Sequence, residues 1–321
     1  MKKSFLMLGV AAMALASCTN EEVLNVADSR TISFDNAFVN NSTRAAINGV
    51  DDLTKFYVFA GFDSEVDNVY KNNVVTRGGV KPSYTWTPEY IAYWQDGKAY
   101  TFDAYAANDK IENAKLQDGK LNFTDVTFTD GTNDILVAEA SVPTVDIESV
   151  QPVALEFSHV LSQVKFTFET AIENVNFTIT GVSFNNVVNK GSYAASVWTA
   201  SSTGSDKQAY SFGDAGSVTN DAKGSTKTLI ILPQQLSEGD QTVTFTLKAE
   251  GALALDERTL TAKLPTFDLT EGYSYNFVAT LTKDNIKDPE NPDEDFKPIE
   301  FTISEEDGIT DWTSGGDQGL K

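Results

Sequence analysis

The chain holds one cysteine, Cys18, and one histidine, His159, among its 321 residues. Zinc sites built from several thiolates and imidazoles are therefore excluded, as is any disulfide within the chain. One thiol–imidazole nucleophile pair is conceivable, but the setting of Cys18 points to different chemistry. It closes the run Leu15-Ala16-Ser17-Cys18, at the end of an apolar stretch from Phe5 to Leu15 that follows Lys2 and Lys3. Such a stretch is too short to span a bilayer and has the form of a secretory signal. The last four residues resemble the bacterial lipobox, in which small side chains admit a peptidase to the bond before a diacylated cysteine. Cys18 is thus the expected lipid anchor and residues 1–17 the signal peptide. Each acyl methylene buried in the membrane contributes roughly 0.8 kcal/mol, so several chains on one cysteine hold a protein without a spanning helix.

Other residue groups could carry chemistry. Trp86, Tyr90, Tyr93 and Trp94 form an aromatic cluster that could stack on sugar rings as a glycan-binding face, and aromatics flanking a hairpin also fill sandwich cores. His159 shares its parity with Leu155, Phe157 and Leu161 and reads as a packed strand residue rather than a base. Asp288, Glu290, Asp293, Glu294 and Asp295 offer carboxylate oxygens, but without the fixed ligand spacing and central glycine of a calcium loop. No metal and no cofactor is expected. Paired carboxylates for glycoside hydrolysis could be drawn from 46 acids, and nothing singles out two of them. The expectation is a protein that is not an enzyme. With 24 Lys and Arg against those 46 acids, the formal charge of −22 repels polyanions, so nucleic acid is not an expected partner.

The elements that must position these residues read as strands. Lys165-Phe166-Thr167-Phe168-Glu169, Thr242-Val243-Thr244-Phe245-Thr246-Leu247 and Tyr273-Ser274-Tyr275-Asn276-Phe277 alternate with period two, as half-buried antiparallel strands do. Asp96-Gly97 and Asp118-Gly119 supply the positive φ values of tight hairpins. After the signal no stretch keeps helical apolar spacing, so the chain is expected to be all-β, built of sandwiches. Its length suits two domains. Pro143 and Pro152 bracket a boundary, placing one domain over 45–151 and the next over 152–283. Residues 284–298 hold Pro289, Pro292 and Pro298 among acids and read as a solvated linker. Beyond it, Ile299-Glu300-Phe301-Thr302-Ile303 alternates as a strand, and Ile309-Thr310-Asp311-Trp312 follows a turn at Asp307-Gly308.

Taken in order along the chain, several motifs resemble the fimbrillin family, the type V pilus subunits of Bacteroides-type bacteria. They are Cys18 in its lipobox, Ile32-Ser33-Phe34 followed by Ser42-Thr43-Arg44-Ala45, the stretch from Tyr84-Thr85-Trp86 through Tyr93-Trp94 to Tyr105, Leu155 to Leu161, Ile231-Leu232-Pro233-Gln234, and Ile309-Thr310-Asp311-Trp312. The resemblance implies two transthyretin-like β-sandwich domains in tandem with a C-terminal donor-strand extension, residues 299–321. It implies a lipoprotein precursor at the outer membrane, cut after an arginine by a trypsin-like protease and carried into a fimbrium. Loss of the first strand would open a groove, filled by the C-terminal strand of another pilin subunit. Homopolymers and contacts with tip or anchor subunits follow, serving adhesion.

Carried onto this sequence, the propeptide is 18–44 and the scissile bond Arg44–Ala45. Arg30 competes, but cutting there leaves Thr31 to Phe34 in place, whereas cutting at Arg44 removes that strand. Ile299, Phe301, Ile303, Ile309 and Trp312 are the expected donor side chains, together contributing on the order of 10 kcal/mol before ordering costs. A shaft subunit is the leading expectation. A permanently anchored surface lipoprotein, serving as pilus anchor or tip or as a glycan-binding module, is the alternative.

Overall fold

The computed structural model describes residues 30–39, 52–80, 83–286, 298–303 and 309–311. Among these the ordered elements are all strands and no helix occurs. In chain order they are β1 (Phe34–Val39), β2 (Lys55–Phe62), β3 (Tyr70–Val80), β4 (Ser83–Pro88), β5 (Tyr100–Ala107), β6 (Lys115–Gln117), β7 (Lys120–Thr127) and β8 (Ile135–Val142). There follow β9 (Val153–His159), β10 (Ser162–Thr170), β11 (Val175–Val188), β12 (Lys190–Ala194), β13 (Val197–Ala200), β14 (Lys207–Gly213), β15 (Gly216–Val218) and β16 (Gly224–Ser225). The last are β17 (Leu229–Ile231), β18 (Gln234–Leu236), β19 (Thr242–Gly251), β20 (Leu255–Lys263), β21 (Phe267–Leu269), β22 (Tyr273–Leu281), β23 (Phe301–Ile303) and β24 (Ile309–Asp311).

Period-two alternation explains the first layer of packing. On β5, Phe102, Ala104 and Ala106 turn one way into a core with Phe56 and Val58 of β2, while Tyr105 turns the other way. The strands close into a ring in the order β1-β4-β3-β2-β5-β8-β9. β1 closes it, antiparallel to β4 at Phe34↔Trp86 and parallel to β9 at Phe34↔Val153 and Asp35↔Ala154. The strand that begins after Pro152 therefore belongs to this first core, to which it gives Leu155 and Phe157. The chain leaves that core only after His159.

The second half stacks two sheets face to face. One runs β16-β10-β22-β23 with β17 and β24 alongside, the other β14-β11-β19-β20 with β15. Phe166 and Phe168 of β10, Phe177 and Phe184 of β11, Phe245 of β19 and Phe277 of β22 meet in one core between the sheets.

A third apolar cluster joins the halves. Tyr57, Phe59, Tyr105 and Phe123 from the first half meet Leu161, Tyr193, Trp198, Ile230 and Leu232 from the second. Backbone pairing runs across the same seam, for β7 pairs with β12 in the four-stranded sheet β13-β12-β7-β6. Gly191 on β12 permits this approach, since a Cβ there would lie 2.9 Å from the Thr199 carbonyl oxygen and 3.0 Å from a Leu232 methyl.

Candidate functional site

Two short segments from opposite ends of the chain each complete a core. The first runs from Arg30 to Phe34. Its alternation places Ile32 and Phe34 inside, 2% and 5% exposed. The Phe34 ring lies 5.5 Å from Phe56, 6.0 Å from Tyr70 and 6.2 Å from Phe102. Its backbone is held on both sides. The Ile32 N–H donates to the Ala92 carbonyl at 2.9 Å, the Trp94 N–H donates to the Arg30 carbonyl at 2.8 Å, and the Val153 N–H donates to the Ser33 carbonyl at 2.8 Å. Removing this strand would leave open edges on β4 and β9 and an apolar pit between them.

The second segment runs from Pro298 through β23 to β24. Ile299 and Phe301 are each 2% exposed within the second core, and Ile303 packs against it. The Phe301 ring stands edge-on to Phe166 at 5.1 Å and to Phe168 at 5.5 Å. β23 pairs antiparallel with β22 through Ala279↔Phe301 and Phe277↔Ile303, and β24 continues along the same strand through Tyr275↔Ile309 and Tyr273↔Asp311. On the other side Glu300 bridges Lys263 in the parallel sense, and the Lys263 N–H donates to the Ile299 carbonyl at 3.2 Å.

The two segments share a pattern that reading for strands alone passes over. Ile32-Ser33-Phe34 and Ile299-Glu300-Phe301 both place isoleucine and phenylalanine two positions apart, with both side chains buried and the residue between them facing outward. Each segment is antiparallel to one neighbour and parallel to the other. The signal was present in the sequence as Ile-x-Phe near either end, but its meaning depends on both copies sitting in cores.

The aromatic cluster divides. Trp86 and Trp94 are buried in the first core, Trp86 at 5.2 Å from Phe56 and Trp94 edge-on to Tyr100 at 4.8 Å. Tyr90 and Tyr93 are 57% and 52% exposed, with Ile91 between them at 59%. A stacking platform made of all four rings is therefore not assembled, because alternation sends the tryptophans inward. Arg30 is exposed. Cys18, Arg44, Ala45, Trp312 and the linker acids Asp288 to Asp295 lie outside the described residues, and Ile309 is described by its backbone alone.

His159 is fully enclosed, with Nδ1 2.9 Å from Oδ2 of an equally enclosed Asp134. Burial pushes the Asp134 carboxyl up from its ordinary value, against the opposing pull of His159. The pair sits where β8 begins and β9 ends, beside the Leu136↔His159 register. Sequence alone offered no reason to choose Asp134 as the partner. Among the described residues no three His, Cys, Asp or Glu side chains converge as a metal site.

An all-β chain whose two cores are each completed by a terminal segment is the class that this geometry defines. The chain belongs to the fimbrillin-like family, whose match runs over residues 43–295. A solved protein of Bacteroides ovatus assigned to cell adhesion is 18% identical, with 88% of this chain and 96% of that one covered at a TM-score of 0.54. A second such protein, from Bacteroides uniformis, is 16% identical, with coverage of 88% and 98% and a TM-score of 0.51. At these identities the likeness concerns the fold. No curated protein matches the chain.

Proposed function

We propose that the chain is a structural subunit, in the shaft, of a cell-surface fimbria that serves adhesion. It would be exported as a precursor lipidated at Cys18 and cut at Arg44–Ala45. The cut would release the segment that carries Ile32 and Phe34, and the C-terminal segment of another subunit would take its place. Family membership supports the pilus role. The observation that carries strand exchange is the repeated Ile-x-Phe pattern, buried once in each core. Head-to-tail exchange of this kind need not close into a ring, so it can build filaments.

One observation favours the alternative of a permanently anchored subunit. Ile299 and Phe301 are buried in the second core of their own chain, so a subunit that kept them there would donate nothing. N-terminal sequencing and intact mass of the protein recovered from the surface of its own cells separate the two. A start at Ala45 is expected for a polymerising subunit. An acylated Cys18 start would overturn that role in favour of the anchored one.

A further inference from the structure

A cavity of about 240 Å³ lies between the loop that follows β5, the end of β7 and the approach to β8. Its walls are pinned from behind. The buried Tyr105 hydroxyl accepts from the Ile111 N–H of the loop at 3.1 Å and donates to Asn72 Oδ1 at 2.8 Å. Opposite, the Phe128 carbonyl accepts from the Tyr210 hydroxyl and from Gln208 Nε2, both at 3.1 Å, and the Phe128 N–H donates to the Asn189 carbonyl at 2.7 Å. A site held in this way is formed before anything enters it, so binding has little of the protein left to order.

Two features of the wall suit a ligand rich in hydroxyl groups. Asn108 Nδ2 donates to Asn133 Oδ1 at 2.7 Å. The pair keeps one unshared amide oxygen and one unshared amide nitrogen, and reversing both amides leaves the same two groups. The other feature is Asp134, whose Oδ2 is taken by His159 Nδ1 while Oδ1 is enclosed and accepts no hydrogen bond. Burial pushes this carboxyl up, so a partner must serve it both protonated and ionised. A hydroxyl does so, because it accepts from the acid and donates to the carboxylate, whereas a metal ion or an ammonium group suits the ionised form alone. Charge around the cavity is balanced. Asp109 stands beside Lys110, and the Asp125 carboxylate lies 3.7 Å from Lys190 Nζ.

We propose that this cavity binds one neutral pyranose ring, either a free hexose or the last residue of a glycan. Two adjacent ring hydroxyls meet the Asn108–Asn133 pair, a third reaches Asp134 Oδ1, and the C–H face lies on the apolar wall of Ile111, Val126 and Phe128. Small-molecule sites commonly measure about 300–1,000 Å³, so this one admits a single ring. The site uses neither terminal segment and none of the exposed tyrosines, and it holds for a shaft subunit and an anchored one alike.

Titration of the full chain with glucose, galactose, mannose, N-acetylglucosamine and N-acetylgalactosamine, followed by NMR, tests this. One of them is expected to bind with a dissociation constant on the order of 1 mM. Asn108→Ala and Asn133→Ala are each expected to weaken it about tenfold. Asp134→Asn, close in size, is expected to act in the same direction; should that variant not fold, the other two still decide. Absence of binding by the parent protein at tenfold above that constant would overturn the proposal. So would binding that survives both asparagine variants, or that is lost instead in Tyr90→Ala or Tyr93→Ala. A thermal shift with Ca²⁺ that Asn133→Ala removes, without sugar binding, would overturn the ligand class. Methyl glycosides separate the two sources. Retained binding of one anomer supports a glycan terminus, and binding of the unsubstituted sugar alone supports a free hexose.

Discussion

Asp103 shows how strongly one residue can depend on its neighbours. It lies on β5 opposite Phe59 of β2 and Glu139 of β8. Burial first, and then the Glu139 charge, push its carboxyl up to about 6, with Lys120 opposing. A carboxyl held above its unfolded value stabilises the fold only while it is protonated. That contribution is full below about pH 4 and is lost as the pH rises through about 6. Asp103→Asn is therefore expected to raise stability at pH 7 by about 1–2 kcal/mol and to be neutral near pH 4. Thermal melts of both proteins from pH 4 to 7 read the difference, and curves that stay parallel would refute it. The Asp134–His159 pair differs in that each enclosed side chain is a hydrogen-bond partner of the other. Asp134→Ala removes the partner of the enclosed His159 Nδ1 and is expected to cost about 3–5 kcal/mol in denaturant unfolding.

At the scale of elements, β23 fills a gap in its own core as well as lying along β22. Phe301→Ala would open a cavity beside Phe166 and Phe168 and is expected to lower the unfolding free energy by about 3–5 kcal/mol. A much smaller loss, measured on the full chain, would mean that the segment spends its time elsewhere. Turn geometry is as demanding as packing. Gly251 ends β19 at φ +104°, and a Cβ there would lie 2.3 Å from the Asn174 carbonyl oxygen. Gly251→Ala must move the backbone where β19 meets β11, at a cost on the order of 1–3 kcal/mol that a shift in denaturant midpoint would show.

At the scale of the whole molecule, the seam between the halves decides how the chain unfolds. An apolar cluster that includes Tyr105, Phe123, Leu161, Trp198 and Leu232, together with β7–β12 pairing, leaves neither half a complete surface of its own. Calorimetry of the full chain is therefore expected to show a single transition. Leu232→Ala is expected to lower the stability of both halves together by about 2–5 kcal/mol. Two separate endotherms in the parent protein would show that the seam does not couple them.

The all-β character was legible from alternation at Lys165 to Glu169, Thr242 to Leu247 and Tyr273 to Phe277, because a period of two is a local property of the backbone. The apolar strand after the acidic, proline-rich stretch was legible for the same reason, as was the enclosed setting of His159. Which strands neighbour one another was not, since pairing between distant residues leaves no local mark. Only the tertiary structure placed Val153 to His159 in the first core, chose Asp134 as the partner of His159, turned Trp86 and Trp94 inward and left Tyr93 exposed. It also buried Ile32 and Phe34 in one core and Ile299 and Phe301 in another, because burial is decided by what lies across a strand and not by what lies along it.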